Sequence, residues 1–298
     1  MYFQVLNYKM YLPFYKKDMI QRYISATNEP YEFDILKNIF TFLVSNCNEI
    51  NNSSLNDKAT RKRVVVDIGA NVGNHSLFLA SKGIEVIAFE ANPKLCEIIK
   101  ENIKVNNFED KITLFNYGLS NKREKANFTK EKPSNYGGMT LKCQSKGTIQ
   151  CDTLDSFAIQ EKIDLIKIDV EGMELAVLQG AEQTILRNKP FIFLESNEVV
   201  SFYNIKRFLE KLQYVHQEIL GDYGALIHIF VPKEKVDNQI LQTNLYKNFS
   251  LPLLHSILGN RYFYRKIKQV RNITYAVLAF SLINIIINLV FYILYLQK

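Results

Sequence analysis

Apolar and polar positions alternate with two different periods along this chain. Residues 34–46, DILKNIFTFLVSN, carry apolar side chains at helical spacing behind Asp34, which predicts a helix with that aspartate as its N-cap. The stretch NEINNSSLNDKATRKR at 48–63 is polar and rich in Asn and Ser, and reads as a loop. From Val64 the pattern becomes strand, turn, helix, repeated. Val64–Ile68 is a fully apolar strand apart from Asp67, and a helix over Asn74–Ser81 stops at Gly83. Glu85–Phe89 is the next strand, and Asn92 then caps a helix over 93–106 with Pro93 at its first position. A third strand is predicted at 112–116, and 117–150 is irregular with short strands. A strand at 164–169, a helix at 173–186, a strand at 191–194 and a helix at 201–212 follow. Segments 215–220 and 225–231 flank Gly221-Asp222 and read as an antiparallel hairpin at a sheet edge. Continuously apolar strands that alternate with helices predict an α/β fold, a doubly wound and mostly parallel sheet covered on both faces. No internal repeat is visible.

The last 26 residues break this pattern. ITYAVLAFSLINIIINLVFYILY at 273–295 has 23 residues and no charge. At about 1.5 Å of rise per residue it spans roughly 34 Å, enough for a bilayer core. Arg265, Lys266, Lys268 and Arg271 precede it and only Lys298 follows, so the positive-inside rule puts the body in the cytosol. Apolar residues surround this helix on all sides, which favours a transmembrane anchor over a buried soluble helix. Asn284 and Asn288 share one face and suit helix pairing in the membrane. The expected organisation is an N-terminal extension at 1–33, a catalytic domain at 34–231, a basic juxtamembrane linker at 232–272 and the anchor at 273–295.

Charge and cysteines narrow the function. Apolar residues make up 47% of the 298, so a packed core is expected rather than global disorder. The net charge is +7, but residues 232–298 hold nine Lys/Arg and two acids, which leaves 37 − 9 = 28 basic and 30 − 2 = 28 acidic residues in 1–231. A neutral body argues against nucleic acid as the partner. Cys47, Cys96, Cys143 and Cys151 are scattered, with no CxxC or Cys/His spacing for zinc, which fits a reducing compartment and no dedicated metal motif. The N-terminus has no basic segment leading into an unbroken apolar run, so no signal peptide is expected.

The chemistry gathers at strand ends. In an open α/β sheet ligands bind beyond the carboxyl ends of the strands, and Asp67, Glu90, Asp169 and Glu195 all fall there. So many acids on one edge repel phosphate. The turn after the first core strand, DIGANVG at 67–73, is neither G-x-G-x-x-G nor a Walker loop. An acidic crevice suits a cationic ligand, or one whose ribose hydroxyls seek a carboxylate. S-adenosyl-L-methionine has a sulfonium and a ribose.

DIGANVG at 67–73 and FEANP at 89–93 resemble the cofactor motifs of class I S-adenosylmethionine-dependent methyltransferases. DLIKIDVEGMELAVLQG at 164–180, with NYGG at 135–138 and CDTLDSF at 151–157, resembles the FkbM-type family more specifically. The likeness covers about residues 30–231, and nothing in that pattern calls for residues 240–298. It implies a seven-stranded sheet with the last strand antiparallel. It further implies that Gly69, Asn71 and Gly73 let the backbone approach the cofactor's methionine part, and that Glu90 accepts hydrogen bonds from the ribose. Asp67 and Asn92 belong to the same motifs. Asp169 is the first choice for a residue near the methyl group, and Glu171 binds the acceptor or serves as base; helix capping and turn formation are the plainer roles for both. Asn135, Gly137 and Gly138 form an acceptor loop or an ordinary turn. His75 faces the acceptor or only caps a helix; Glu195 faces the crevice or only the helix after it. His216 reads as structural, and Asp152 and Asp155 as capping groups. The implied reaction is O-methylation of a sugar or glycan hydroxyl at the cytosolic membrane surface. A protein, RNA or metabolite acceptor, a non-catalytic membrane-held binding module, and a nicotinamide-dependent oxidoreductase stay open beside it.

Overall fold

Alternating short apolar strands and amphipathic helices fold as an α/β sandwich. The computed structural model describes residues 1–46, 61–129, 138–220 and 226–236. In chain order the N-terminal part is a hairpin of β1 (Tyr2–Val5) and β2 (Tyr8–Tyr11), then α1 (Met19–Thr27) and α2 (Phe33–Asn46). The central part runs β3 (Val64–Ile68), α3 (Asn74–Ser81), β4 (Glu85–Phe89), α4 (Pro93–Val105) and β5 (Ile112–Phe115). Short strands β6 (Gly118–Leu119), β7 (Glu124–Phe128), β8 (Leu141–Cys143) and β9 (Ile149–Asp152) follow. The last part is β10 (Ile163–Ile168), α5 (Glu174–Gln179), α6 (Glu182–Asn188), β11 (Phe191–Glu195), α7 (Val199–Lys211), β12 (Tyr214–Leu220) and β13 (Ile227–Pro232).

Seven strands form the main sheet in the order β12-β13-β11-β10-β3-β4-β5. The strands from β11 to β5 run parallel, and β13 is antiparallel to both neighbours. The hairpin therefore does not simply extend the edge: β13 inserts between β11 and β12. The order in which strands are added reverses at β3, which lies between β10 and β4, so the crevice of this open sheet sits over the carboxyl ends of β3, β4 and β10. One apolar cluster fills each face of the sheet. Strands β6 to β9 form a separate four-stranded sheet.

Residues 1–33, expected as an extension, belong to the core. Val5, Met10, Leu12 and Ile24 are fully buried in the same cluster as Leu36, Val65 and Leu77. The hairpin is tied to α4 through Asn106, whose Oδ1 accepts from Lys9 N–H (2.8 Å) while its Nδ2 donates to Lys9 O (2.7 Å). Asp34 lies in the first turn of α2, exposed and paired with Lys37, rather than at the cap.

The single helix predicted at 173–186 is two helices. Asp155 causes the break. Its N–H donates to Gly180 O (3.0 Å) while its Oδ1 accepts from Thr184 N–H (2.7 Å), so it takes both halves of what would be one helical hydrogen bond. Its Oδ2 also accepts from Gln183 N–H (3.0 Å). The expected capping role holds, but for α6 and across the sequence; Thr153 caps the short 3-10 turn at 154–157. Replacing Asp155 with alanine is expected to remove about 1–2 kcal/mol of unfolding free energy, read as a lower urea midpoint.

Among the described residues no helix is long and apolar enough to cross a membrane. The segment 273–295 lies outside the described residues.

Candidate functional site

The cleft begins where β3 stops. All five residues of that strand are buried, and Asp67 on it is completely so. The next turn needs unusual backbone: Gly69 has φ +82, Asn71 φ 54 and Gly73 φ 83. A Cβ on Gly69 would sit 1.9 Å from Asp169 O, so the ends of β3 and β10 touch through bare backbone there.

Beneath that contact lies a buried ion cluster. Parallel register sets Lys167 opposite Asp67. Its Nζ is 3.2 Å from Asp67 Oδ1 and 3.1 Å from Asp169 Oδ2, and donates to Gly69 O (3.3 Å). Ser76 Oγ donates to Asp67 Oδ2 (2.6 Å), which ties α3 to the cluster. Burial opposes the charge on Lys167, but the carboxylates of Asp169 and Asp67 outweigh it and raise the lysine's pKa. Burial likewise acts against the Asp169 carboxylate, yet Lys167 holds it below the ordinary range. Glu195 goes the other way. Burial, Asp169 and Glu32 push it far up, so it keeps a proton at neutral pH and donates it in a hydrogen bond to Asp169. Asn197 Nδ2 donates to Glu195 Oε1 (2.8 Å).

At the end of β4, Glu90 accepts Asn71 N–H on Oε2 and Asn92 N–H on Oε1, both at 2.7 Å. Burial lifts it to about 7 against the pull of those two amides. Glu90 is 7% exposed, and it lines the cleft.

Gly69, Asn71, His75, Glu90, Asp169, Glu171 and Glu195 therefore line one cavity, and Gly138 joins them. Asp67 lies below it and acts through Ser76 and Lys167. Two further expected cofactor residues are also not in its wall. Gly73 supplies the left-handed start of α3, and the Asn92 side chain accepts Lys94 N–H (3.0 Å) as the cap of α4. Asn135 and Gly137 lie outside the described residues. His216 is structural as expected: its Nε2 meets His228 Nδ1 at 3.1 Å inside the core.

Several wall residues come from segments that sequence reading left aside. Met19, Ile20, Tyr31 and Glu32 come from the N-terminal part, and Tyr117, Phe128, Met139 and Leu141 from the region of the small sheet. Glu32 has φ 57, and burial followed by the Asp169 charge lifts its carboxyl to about 7 against the pull of Lys167. Its Oε2 is 3.9 Å from His75 Nε2, which is buried and has no hydrogen-bond partner. Burial and Lys167 lower His75 to about 4, so the ring is neutral. Lys167 had a visible signal, a charge inside an apolar strand; Glu32 had none. Among the described residues no group of three or more His, Cys, Asp or Glu is arranged to hold a metal ion.

The sequence is similar to known methyltransferases. The chain is 29% identical over 163 residues to hexuronic acid methyltransferase AglP of Haloferax volcanii, covering 52% of this chain and 64% of that protein. It is 27% identical over 186 residues to methyltransferase sdnD of Sordaria araneosa, covering 50% and 68%. A crystal structure of methyltransferase FkbM from Methylobacillus flagellatus aligns with TM-score 0.45 and 20% identity, covering 57% of this chain and 43% of that one. The chain thus spans less than two thirds of the Haloferax protein and less than half of the Methylobacillus chain. The family model for the methyltransferase FkbM domain matches residues 67–216, half of the sequence, and the chain belongs to the FkbM methyltransferase family.

Proposed function

We propose that this chain transfers a methyl group from S-adenosyl-L-methionine to a hydroxyl of a sugar or glycan. The observation that carries the reading is one cleft with two unlike halves. Glu90 and the bare backbone of the 69–71 turn form one half; Asp169, Glu171, Glu195, His75 and Glu32 form the other.

The first half fits the cofactor. Glu90 is fixed by two amides, and its carboxylate retains lone pairs for a vicinal diol. Asn71 Oδ1 is buried with no hydrogen-bond partner, a polar atom that a ligand's ammonium or hydroxyl would satisfy. The surplus of carboxylates over cations attracts a sulfonium. When bound, the cofactor supplies an electrophilic methyl group. The chain's own residues hold the acceptor in line with it and exclude water. Asp169, kept ionised by Lys167, accepts a hydrogen bond from an acceptor hydroxyl, and protonated Glu195 steadies Asp169. The acceptor class rests on the name of the Haloferax relative, a hexuronic acid methyltransferase. The membrane position rests on residues 273–295 alone: an uncharged anchor with basic residues before it holds the cleft at the cytosolic surface, and Asn284 and Asn288 offer a pairing face.

The test is transfer from methyl-labelled S-adenosyl-L-methionine, with the full-length chain in membranes and a fractionated extract. Label in the glycan or lipid-linked sugar fraction is the expected result. Label confined to protein, RNA or soluble metabolites overturns the sugar reading. The Glu90→Gln variant is the control, since it sets an amide NH₂ against one of the two backbone N–H groups. It is expected to bind S-adenosylhomocysteine about 10–100-fold more weakly by calorimetry, the value of one or two charge-assisted hydrogen bonds. Native affinity is expected to fall as the pH drops through about 7, where Glu90 gains its proton, and the variant's affinity to stay level.

A further inference from the structure

We propose that Glu32 is the catalytic residue that takes the proton from the acceptor hydroxyl. It lies outside the stretch matched by the family model, residues 67–216. The proposal rests on the methyl-transfer reading above.

The first argument is position. Glu32 stands just before α2 in a left-handed conformation, which a non-glycine residue adopts at a cost of roughly 1–2 kcal/mol. Its neighbour is clamped: Tyr31 N–H donates to Asn74 Oδ1 (3.0 Å) and Asn74 Nδ2 donates back to Tyr31 O (2.8 Å). A strained turn pinned to α3 from both sides holds the Glu32 carboxyl in the cleft wall, with its side chain only 15% exposed. Across from it stands His75, whose Nε2 is buried and lacks a hydrogen-bond partner. The 3.9 Å between Glu32 Oε2 and His75 Nε2 is too wide for a hydrogen bond, so the two face the cavity without bonding each other. Two polar groups that are buried, adjacent and not bonded to each other are a site for a third, such as a hydroxyl.

The second argument is elimination among the acids. Asp169 is held in its ionised form by Lys167, which makes it a weak base. Glu195 already carries a proton. Glu90 is bonded to the 71 and 92 amides, and Glu171 is exposed to solvent. Glu32 faces Lys167 on β10 and Asp169 just after it, His75 on α3 and Glu195 on β11. Burial and Asp169 together set it near the pH at which it must work. In the step itself the O–H bond breaks and its proton passes to the Glu32 carboxylate. The electron pair of that bond stays on the hydroxyl oxygen, which forms the new bond to the methyl carbon, and the donor keeps the pair of the bond that breaks.

The test uses the full-length chain, labelled S-adenosyl-L-methionine, and methyl glucuronide and methyl glucoside as acceptors. Glu32→Gln is expected to lower kcat at pH 8 by about 10²–10⁴-fold with little change in KM for the cofactor. Glu32→Asp is expected to recover part of that loss. Native kcat rises with pH through about 7, and that limb disappears in E32Q. The infrared difference between native and E32Q protein, without turnover, is expected to contain a carboxylic acid band that titrates away near the same pH. An E32Q enzyme with native kcat, or one that keeps the limb, overturns the proposal. If neither glycoside is methylated, these two are not acceptors, the extract labelling above decides the sugar reading, and the infrared titration decides the role of Glu32 alone. A Glu32 band near 7 then supports the proposal, and a carboxyl ionised from pH 5 upward overturns it.

Discussion

Replacing Lys167 with methionine is expected to lower the unfolding free energy by about 3–5 kcal/mol at pH 8 and by clearly less at pH 5.5. Methionine fills most of the space, so the loss is one of charge. Asp67 has no exposure at all, and without Lys167 its carboxylate keeps only the Ser76 hydroxyl. An uncompensated buried charge is more expensive than the pair was worth. Asp169 contributes less, because its side chain is 37% exposed and water screens it. The pH dependence changes sign between the two proteins. In the native chain the Asp169 pKa lies below its unfolded value, so its stabilisation is present above about pH 3.9 and is lost on acidification. The Lys167 pKa is raised, so its stabilisation is intact at neutral pH and is lost only in strong alkali. In the variant, burial acts on Asp169 with no cation to oppose it and raises its pKa. Stability then falls as pH rises through that value. Urea unfolding at the two pH values checks this. Equal midpoints for variant and native protein at pH 8 would show the cluster to be energetically idle. Adding Asp67→Asn should restore part of the loss in a double-mutant cycle.

This cluster also marks how far the sequence could be read. The β3, β4 and β10 strands, the turn at 67–73 and the acids at strand ends were legible, because each rests on a local pattern: apolar runs, glycine punctuation and a carboxylate after the last strand residue. Lys167 was in plain view inside DLIKID, but its meaning depends on the register that sets it opposite Asp67, which no local pattern fixes. Gly73 and Asn92 sit in the right motifs, yet their roles are a helix start and a cap, because a motif does not say which of its members face the ligand. The split between α5 and α6 was illegible, since Asp155 acts on Gly180 and Thr184 from more than 20 positions away. Glu32 was missed for a similar reason. It enters the cleft only because the β1–β2 hairpin and α1 pack into the core cluster ahead of it.

The turn at 69 gives the other large effect, and a comparison between two glycines isolates its cause. Gly69 and Gly73 have nearly the same backbone angle, φ 82 and φ 83. Their surroundings differ. A Cβ on Gly73 would meet Ile99 and Leu77 side chains at 3.5 Å, an ordinary contact. A Cβ on Gly69 would fall 1.9 Å from Asp169 O and 2.9 Å from its carbonyl carbon. The two strand ends cannot separate freely, because Asp169 N–H is bonded to Ile68 O (3.0 Å) and Gly69 N–H to Phe89 O (2.9 Å). Gly73→Ala is therefore expected to lose only the left-handed penalty, roughly 1–2 kcal/mol, and to bind S-adenosylhomocysteine much as the native chain does. Gly69→Ala adds an overpacking strain of about 1–3 kcal/mol, for a total of roughly 2–5 kcal/mol. It must also push β10 away from β3, which moves Asp169 and separates Lys167 from Gly69 O. Calorimetry on the folded fraction is thus expected to find S-adenosylhomocysteine binding lost in G69A and kept in G73A. Equal destabilisation and equal binding in the two variants would mean that backbone angle alone governs this turn and that the close approach of the two strand ends plays no part in the site.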